Sequence, residues 1–327
     1  MMASYLLERL AWAMPIVLAI VIINFLIVHI VPGDPVEALV GDFPTPPGYA
    51  DQVRRQFGLD RPIAHQLGLY LGNVAQGNLG FSFANRQAVL PLILSRAKLT
   101  LLLMLPAMTL AAVLGVVLAL AAAPRAGGLC DGAITALSLA GHSLPIFWLG
   151  QLLVLLFAVN LKWLPAQGAI TLRNQPTGLA ALADMLRHLV LPALSVTIYY
   201  VAVVARVARA SVLEAISQDF VLTARAKGLS RRAVLWRHVL PNGLIPVVTV
   251  IGYNFGYSLT GAILVETVFA WPGIGNLFLS SIGNRDYPVL QGIFLVTALT
   301  VVIANLLTDL LYGALDPRVR VGHRADA

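Results

Sequence analysis

The chain has 327 residues, of which 58% are hydrophobic and 11% charged, with a net charge of +7. Soluble domains run at roughly 45–50% apolar and about 25% charged, so one soluble core cannot hide this much apolar surface. A polytopic membrane protein is the class that remains. A disulfide scaffold is excluded, because Cys130 is the only cysteine; it reads as a small packing residue in a short loop beside Arg125. Nucleic acid is not an expected partner, because aromatic residues are not interleaved with the basic ones.

Six segments are long and apolar enough to cross about 30 Å of hydrocarbon. They are approximately 9–31, 98–122, 131–160, 188–209, 244–268 and 289–313. The first apolar run, Ala11 to Val31, is longer than a signal-peptide core and lacks a small-x-small cleavage site, so it is expected to be a retained span. Pro32-Gly33-Asp34-Pro35 then stops it sharply. The region 32–97 is polar and rich in Pro and Gly, with short apolar runs such as Ile63 to Leu71, and predicts a small subdomain with short helices. The third segment holds Gly141 and Pro145, which predicts a broken or tilted span, and Leu164-Pro165 closes it. The resulting divisions are 1–97, the first span plus that subdomain; 98–313, a five-helix core containing the loop 210–243; and 314–327, a tail.

Charge sets the expected orientation. Between Arg206 and His238 there are seven basic residues (Arg206, Arg209, Arg225, Lys227, Arg231, Arg232, Arg237) against Glu214 and Asp219, and the tail adds Arg318, Arg320 and Arg324. The positive-inside rule places both regions in the cytoplasm. With an even number of spans, both termini are then cytoplasmic, and 32–97, 161–187 and 269–288 are external.

The loop itself predicts two short helices. Asp219 is the expected N-cap of the first, which runs through Lys227, and Gly228 supplies a left-handed stop. Ser230 caps the second, which runs from Arg231 to Leu240 and is ended by Pro241 and Asn242. Thr223, Ala224 and Ala226 are small, so another surface could approach closely, and the cationic C-terminal end suits the helix dipole. Two readings stand at this point: a docking element for a partner protein, or interfacial helices lying on anionic membrane lipid.

Motifs for chemistry are missing from the sequence. No Gly-x4-Gly-Lys-Ser/Thr is present to cradle ATP, and neither a His-Glu-x-x-His nor a Gly-x-Ser-x-Gly occurs. His142 and Ser143 are adjacent on a helix, hence about 100° apart, and read as polar helix contacts near the Pro145 break rather than a nucleophile–base pair. The histidines show no metal-ligand spacing. No carboxylate relay lies deep in a span, as a proton-coupled carrier needs. Glu266 stands one turn from the external end of the fifth span, and is either a pathway residue or an anchor bonded to a neighbouring helix. Gly252-x3-Gly256, followed by Gly261, gives that span a small-residue stripe. The stripe permits close helix packing or a pathway-lining face; Gly256 and Glu266 are the pathway candidates.

The chain resembles the inner-membrane permease subunits of binding-protein-dependent ABC importers, in their dipeptide/oligopeptide branch. The superfamily pattern is Glu-Ala-Ala, three residues, Gly, nine residues, Ile-x-Leu-Pro. Here Leu222-Thr223-Ala224, Gly228 and His238-Val239-Leu240-Pro241 occupy its positions, with the first two and the Ile substituted. Asp219 to Leu229, DFVLTARAKGL, looks like the branch's own version. Val31 to Pro35, Phe57 to Pro62, Gly77 to Ser82, Glu266 to Gly275 and Asp316 to Arg320 follow in the branch's order. One departure is Arg96-Ala97-Lys98-Leu99-Thr100, where the branch has Arg-Leu-Pro-x-Thr.

The resemblance implies an all-α type I ABC importer (MetI-like) permease fold with six transmembrane helices. It implies the first of two different permeases, forming one wall of the pathway for short peptides, or for nickel chelates, glutathione or opines. Partners would be the second permease, two cytoplasmic ATPases and an external substrate-binding protein. The coupling helix would dock on an ATPase through Asp219, Thr223, Ala224, Ala226, Lys227, Gly228, Leu240 and Pro241. No cofactor, metal or catalytic residue is implied. The competing classes are a stand-alone secondary carrier and an intramembrane hydrolase.

Overall fold

The computed structural model describes residues 2–30, 48, 51, 54–55, 60–82, 84–123, 126–172, 176–256 and 262–315. The Pro32–Pro35 stop, residues 56–59, Gly261 and the tail from Asp316 onward lie outside them. Long apolar runs become long helices because hydrocarbon offers backbone groups no other partner. In chain order the helices are α1 (Met2–Ile30), α2 (Ile63–Ala75), α3 (Val89–Ala122), α4 (Leu129–Ser143) and α5 (Ile146–Leu153, prolonged by a π-helical Val154–Asn160). They continue with α6 (Leu179–Ile216), α7 (Asp219–Ala226), α8 (Arg231–Val234), a π-helical Leu235–Val239, and α9 (Leu240–Gly243). Last come α10 (Ile245–Gly256), α11 (Ile263–Val268), α12 (Ile274–Gly283) and α13 (Tyr287–Leu315). The polar region also contains a small hairpin that the sequence reading does not anticipate, β1 (Phe81–Ser82) antiparallel to β2 (Gln87–Ala88), with Phe81 opposite Ala88.

Among the described residues three helices are long and apolar enough to span a membrane: Val89–Ala122, Leu179–Ile216 and Tyr287–Thr308. There are five if two bent pairs each count as one span, and Ala11–Ile27 is a shorter apolar helix. The first pair, Leu129–Ser143 and Ile146–Asn160, turns by 98°. The break expected at Pro145 is thus present. Leu144 is held extended (φ −84°, ψ 130°) by the proline that follows it, and Pro145 then starts α5. The second pair, Arg231–Gly243 and Ile245–Gly256, turns by 44°.

Two boundaries differ from expectation. α3 begins at Val89, not near 98. Val89 to Leu94 is apolar, and Pro91 sits in the first turn, where a missing N–H breaks no helical bond. The helix runs unbroken through Lys98, which is exposed. Pro241 does not end the second loop helix. The π-helical stretch before it shifts the bonding register, Pro241 enters the first turn of α9, and Asn242 donates its side-chain amide to the His238 carbonyl (2.7 Å).

The residues gather into two compact units. The first holds Met1–Thr100, Leu259–Ile263 and Pro272–Val302. In it Asn24 of α1 donates to the Gln291 carbonyl (2.9 Å) and the Tyr70 hydroxyl (3.3 Å). Ser82, fully buried, donates to the Asp286 carboxylate (2.5 Å) and accepts from the Asn85 N–H (3.0 Å). Arg96 and Thr100, four residues apart on one face of α3, hold the start of α12: Arg96 donates to the Pro272 carbonyl (3.3 Å), and Thr100 accepts from the Ile274 N–H (2.9 Å). These are the two residues of the Arg96–Thr100 stretch in which the chain keeps the branch's pattern.

The second unit holds Leu101–Ser258, Leu264–Trp271 and Ile303–Ala327. Its α6 has 38 residues. At 1.5 Å per residue that is about 57 Å, well beyond about 30 Å of hydrocarbon. The surplus length carries the basic Arg206 and Arg209 toward the loop. α10 lies so close to α13 that a Cβ on Gly252 would fall 2.0 Å from the Thr308 hydroxyl, so Gly252 serves helix packing within the chain.

Candidate docking site and pathway residues

The loop between α6 and α10 is built on its own small core. Val221 and Ala224, one turn apart on α7, are buried with Val234, Val239, Val212, Ala215 and Ala123. Leu120, Leu213, Ile216, Leu229 and Leu235 pack around them. α7 begins after Gln218, whose side chain makes no cap, so Asp219 is not the N-cap; it lies in the first turn, where its charge complements the helix dipole. Thr223 donates to the Asp219 carbonyl (3.1 Å).

The end of α7 follows the expected chemistry. Gly228 has φ +81°. Its N–H donates to the Arg225 carbonyl (2.9 Å), and the Leu229 N–H reaches back to the Ala224 carbonyl (3.3 Å). This is a complete Schellman motif: two of the carbonyls left open at the helix end are bonded, and Leu229 closes over buried Ala224. Ser230 accepts from the Ala233 N–H (3.3 Å) and so caps α8 as its sequence predicts.

The expected docking residues divide between two faces. Asp219, Thr223, Ala226, Lys227 and Gly228 are exposed along α7 and its end, with the apolar Phe220 (37%) and Leu222 (62%) beside them. Ala224 points the other way, into the loop's core, at 5% exposure. Leu240 is half-buried and Pro241 exposed on α9, apart in the chain from the α7 face. Trp236, 53% exposed, stands among Arg231, Arg232 and Arg237 on the second helix.

Glu266 and Gly256 are both buried. Glu266 lies on α11, and its carbonyl accepts from the Trp271 N–H (2.8 Å) while Thr267 accepts from the Ala270 N–H (3.2 Å). The turn is again a Schellman closure, here with Ala270 in the left-handed position at φ 46°. Cys130 is exposed, not a packing residue; it occupies the first turn of α4, whose outward face also leaves Leu129 bare. His142 packs its ring against Tyr199 of α6 (5.3 Å), and Ser143 donates to the Leu139 carbonyl (2.7 Å).

Asp131 enters no motif of the sequence, yet it makes a two-bond ion pair with a residue of another helix. It is buried in the first turn of α4, and both its oxygens accept from Arg209 of α6: Oδ1 from Nε, and Oδ2 from Nη2 at 2.7 Å. Oδ2 also accepts from the Gly127 N–H (2.9 Å). The sequence signal for it is a single acid at the start of one apolar run and a base near the end of another.

Residues 113–321 match the family described as binding-protein-dependent transport system inner membrane component, and residues 2–104 match the N-terminal region described for such membrane components. The chain belongs to this family. The permease is 40% identical, over 98% of its length and 99% of the relative's, to the di/tripeptide transport system permease protein DppB of Pseudomonas aeruginosa (strain UCBPP-PA14). Two relatives come from Escherichia coli O6:H1 (strain CFT073). The dipeptide transport system permease protein DppB is 37% identical, and the glutathione transport system permease protein GsiC is 38% identical; each match covers 98% of this chain and 99% of the relative. The DFVLTARAKGL stretch and the loop around it thus fall inside the part of the permease that the family match covers.

Proposed function

We propose that the chain is a transmembrane permease subunit of an ATP-driven ABC importer for short peptides, in the cytoplasmic membrane. It forms one wall of the pathway, pairs with a second permease, and works with two cytoplasmic ATPases and an external binding protein. Six spans with both termini in the cytoplasm fit the charge distribution. The single observation that carries the reading is the α7 surface in a family of such permeases. A short helix, closed by Gly228 and seated on a private apolar core, leaves Phe220, Leu222, Thr223, Ala226 and Lys227 uncovered. A helix held this firmly can transmit a push, and its uncovered apolar residues need a partner.

The test is reconstitution. Proteoliposomes holding this chain, the partner permease and the ATPases should take up peptide only with ATP and binding protein present. Leu222→Asp, on the uncovered face, should release the ATPases during purification while the permease still inserts. Uptake by the chain alone would instead establish a secondary carrier.

Short peptides are the proposed cargo because the first-named relatives are peptide permeases. The glutathione permease matches equally well, so glutathione, itself a small peptide, and other small solutes are the alternative. A thermal-shift screen of the cognate binding protein against dipeptides, glutathione and nickel chelates separates them.

A further inference from the structure

We propose that Asp131 and Arg209 are positioning residues for transport: their ion pair makes the broken span α4–α5 move together with the docking loop. The proposal rests on the docking role given above to α7. The pair joins two elements from residues 78 positions apart. On one side, Arg209 lies on α6 between Ala208 and Val212. Ala208 packs with Ala119, Val204 and Val247. Val212 and Ala215 are part of the loop core that contains Val221 and Ala224 of α7. Arg209 is therefore fixed to the seat of the docking helix. On the other side, Asp131 is in the first turn of α4, the helix that ends at the 98° turn before α5.

The geometry of the pair is that of a rigid strut. A guanidinium meeting a carboxylate with two parallel N–H···O bonds fixes orientation as well as distance, whereas a single contact would allow pivoting. The Gly127 N–H bond holds the same carboxylate from the chain just before α4. Asp131 is buried and Arg209 partly exposed, so separating the charges would break two charge-assisted hydrogen bonds at once. Moving apart is thus the costly response to a push on the loop, and moving together the cheap one. The apolar contacts between α4 and α6, such as Gly141 against Ile198 and Ala202, are individually weak and fix no orientation of charge. No other ion pair among those found in the described residues joins α4 to another helix.

The test uses the full reconstituted importer at matched membrane abundance. It measures peptide imported per ATP hydrolysed, together with co-purification of the ATPases. Asp131→Asn and Arg209→Gln should each keep the ATPases bound and hydrolysis active. Each should lower import per ATP by about tenfold, inside the range that mutations between coupled sites produce. The double variant should be no worse than either single, because the two residues act as one unit. Arg209→Lys, which keeps the charge but loses the fork, should fall between. Unchanged import per ATP in both singles overturns the proposal, and so does a double variant whose loss is the product of the singles. If the singles fail to accumulate in the membrane, Asp131→Glu and Arg209→Lys decide: normal coupling in both overturns the strut. Failure of the wild-type chain to retain ATPases would count against the docking reading instead, and the two failures are thereby distinct.

Discussion

At Gly228 the demand on the residue is conformational rather than spatial. Its φ is +81°, and a Cβ placed there meets nothing within 4 Å. Substitution therefore costs backbone strain, about 1 kcal/mol for Ala and more for a β-branched residue. Gly228→Val should leave membrane insertion intact, speed hydrogen exchange at the Leu229 amide that closes the motif, and lower uptake at matched abundance. Normal uptake with an unprotected Leu229 amide would separate the turn from coupling. Gly252 is the opposite case. There a Cβ would collide with Thr308 on α13, so even Gly252→Ala should lower the thermal stability of the detergent-solubilised protein. Gly252→Ala combined with Thr308→Ser, which removes the methyl but keeps the hydroxyl, should regain only part of it. An unchanged melting temperature for Gly252→Ala would mean that α10 and α13 can separate without cost.

At the scale of the element, α7 has two faces with different sensitivities. Ala224 is buried among Val221, Val234, Val239 and Leu229. Ala224→Asp places a carboxylate in that apolar core without a partner. Its effect is then on the seat of the helix, not on the surface a partner would touch. It should loosen the whole loop, seen as protease cleavage between 219 and 241, and abolish uptake. Lys227→Ala on the exposed end should be mild, since a solvated charge contributes little. Resistance of the Ala224→Asp loop to protease would show that the core tolerates the charge. Thr223 and Ala226, on the uncovered face, separate these effects: bulky substitutions there should spare the fold of the loop and impair only partner binding.

For the whole molecule, the expected arrangement is six spans with the basic loop and tail in the cytoplasm. Cysteine labelling of intact cells, after replacing the exposed Cys130 by Ser, should reach a cysteine introduced at Gln87 in the hairpin and not one at Ser230. Labelling of Ser230→Cys from outside would invert the topology. Polar contacts also tie helix ends together within each unit. Arg96 and Thr100 hold the Pro272–Ile274 turn in the first unit, and Arg209 holds Asp131 in the second.

The sequence by itself determined the features governed by backbone dihedrals and local bonding. The break at Pro145 follows from the proline restricting Leu144, the stop at Gly228 from the left-handed position, and the cap at Ser230 from its hydroxyl. The long helices follow from apolar runs. Only the tertiary structure decided the features that need a partner far along the chain. Ala224 reads as a small surface residue until Val234 and Val239 close over it. Pro241 reads as a helix end, but the π-helical register of Leu235–Val239 carries the chain past it. Lys98 and its neighbours read as the start of a span, but Arg96 and Thr100 find their bonds in a turn some 174 residues away. Asp131 reads as an isolated acid, and becomes a fixed point because α6 brings Arg209 against it. Local rules act over one helical turn; these pairings depend on which helices pack together, and no spacing within a single segment encodes that.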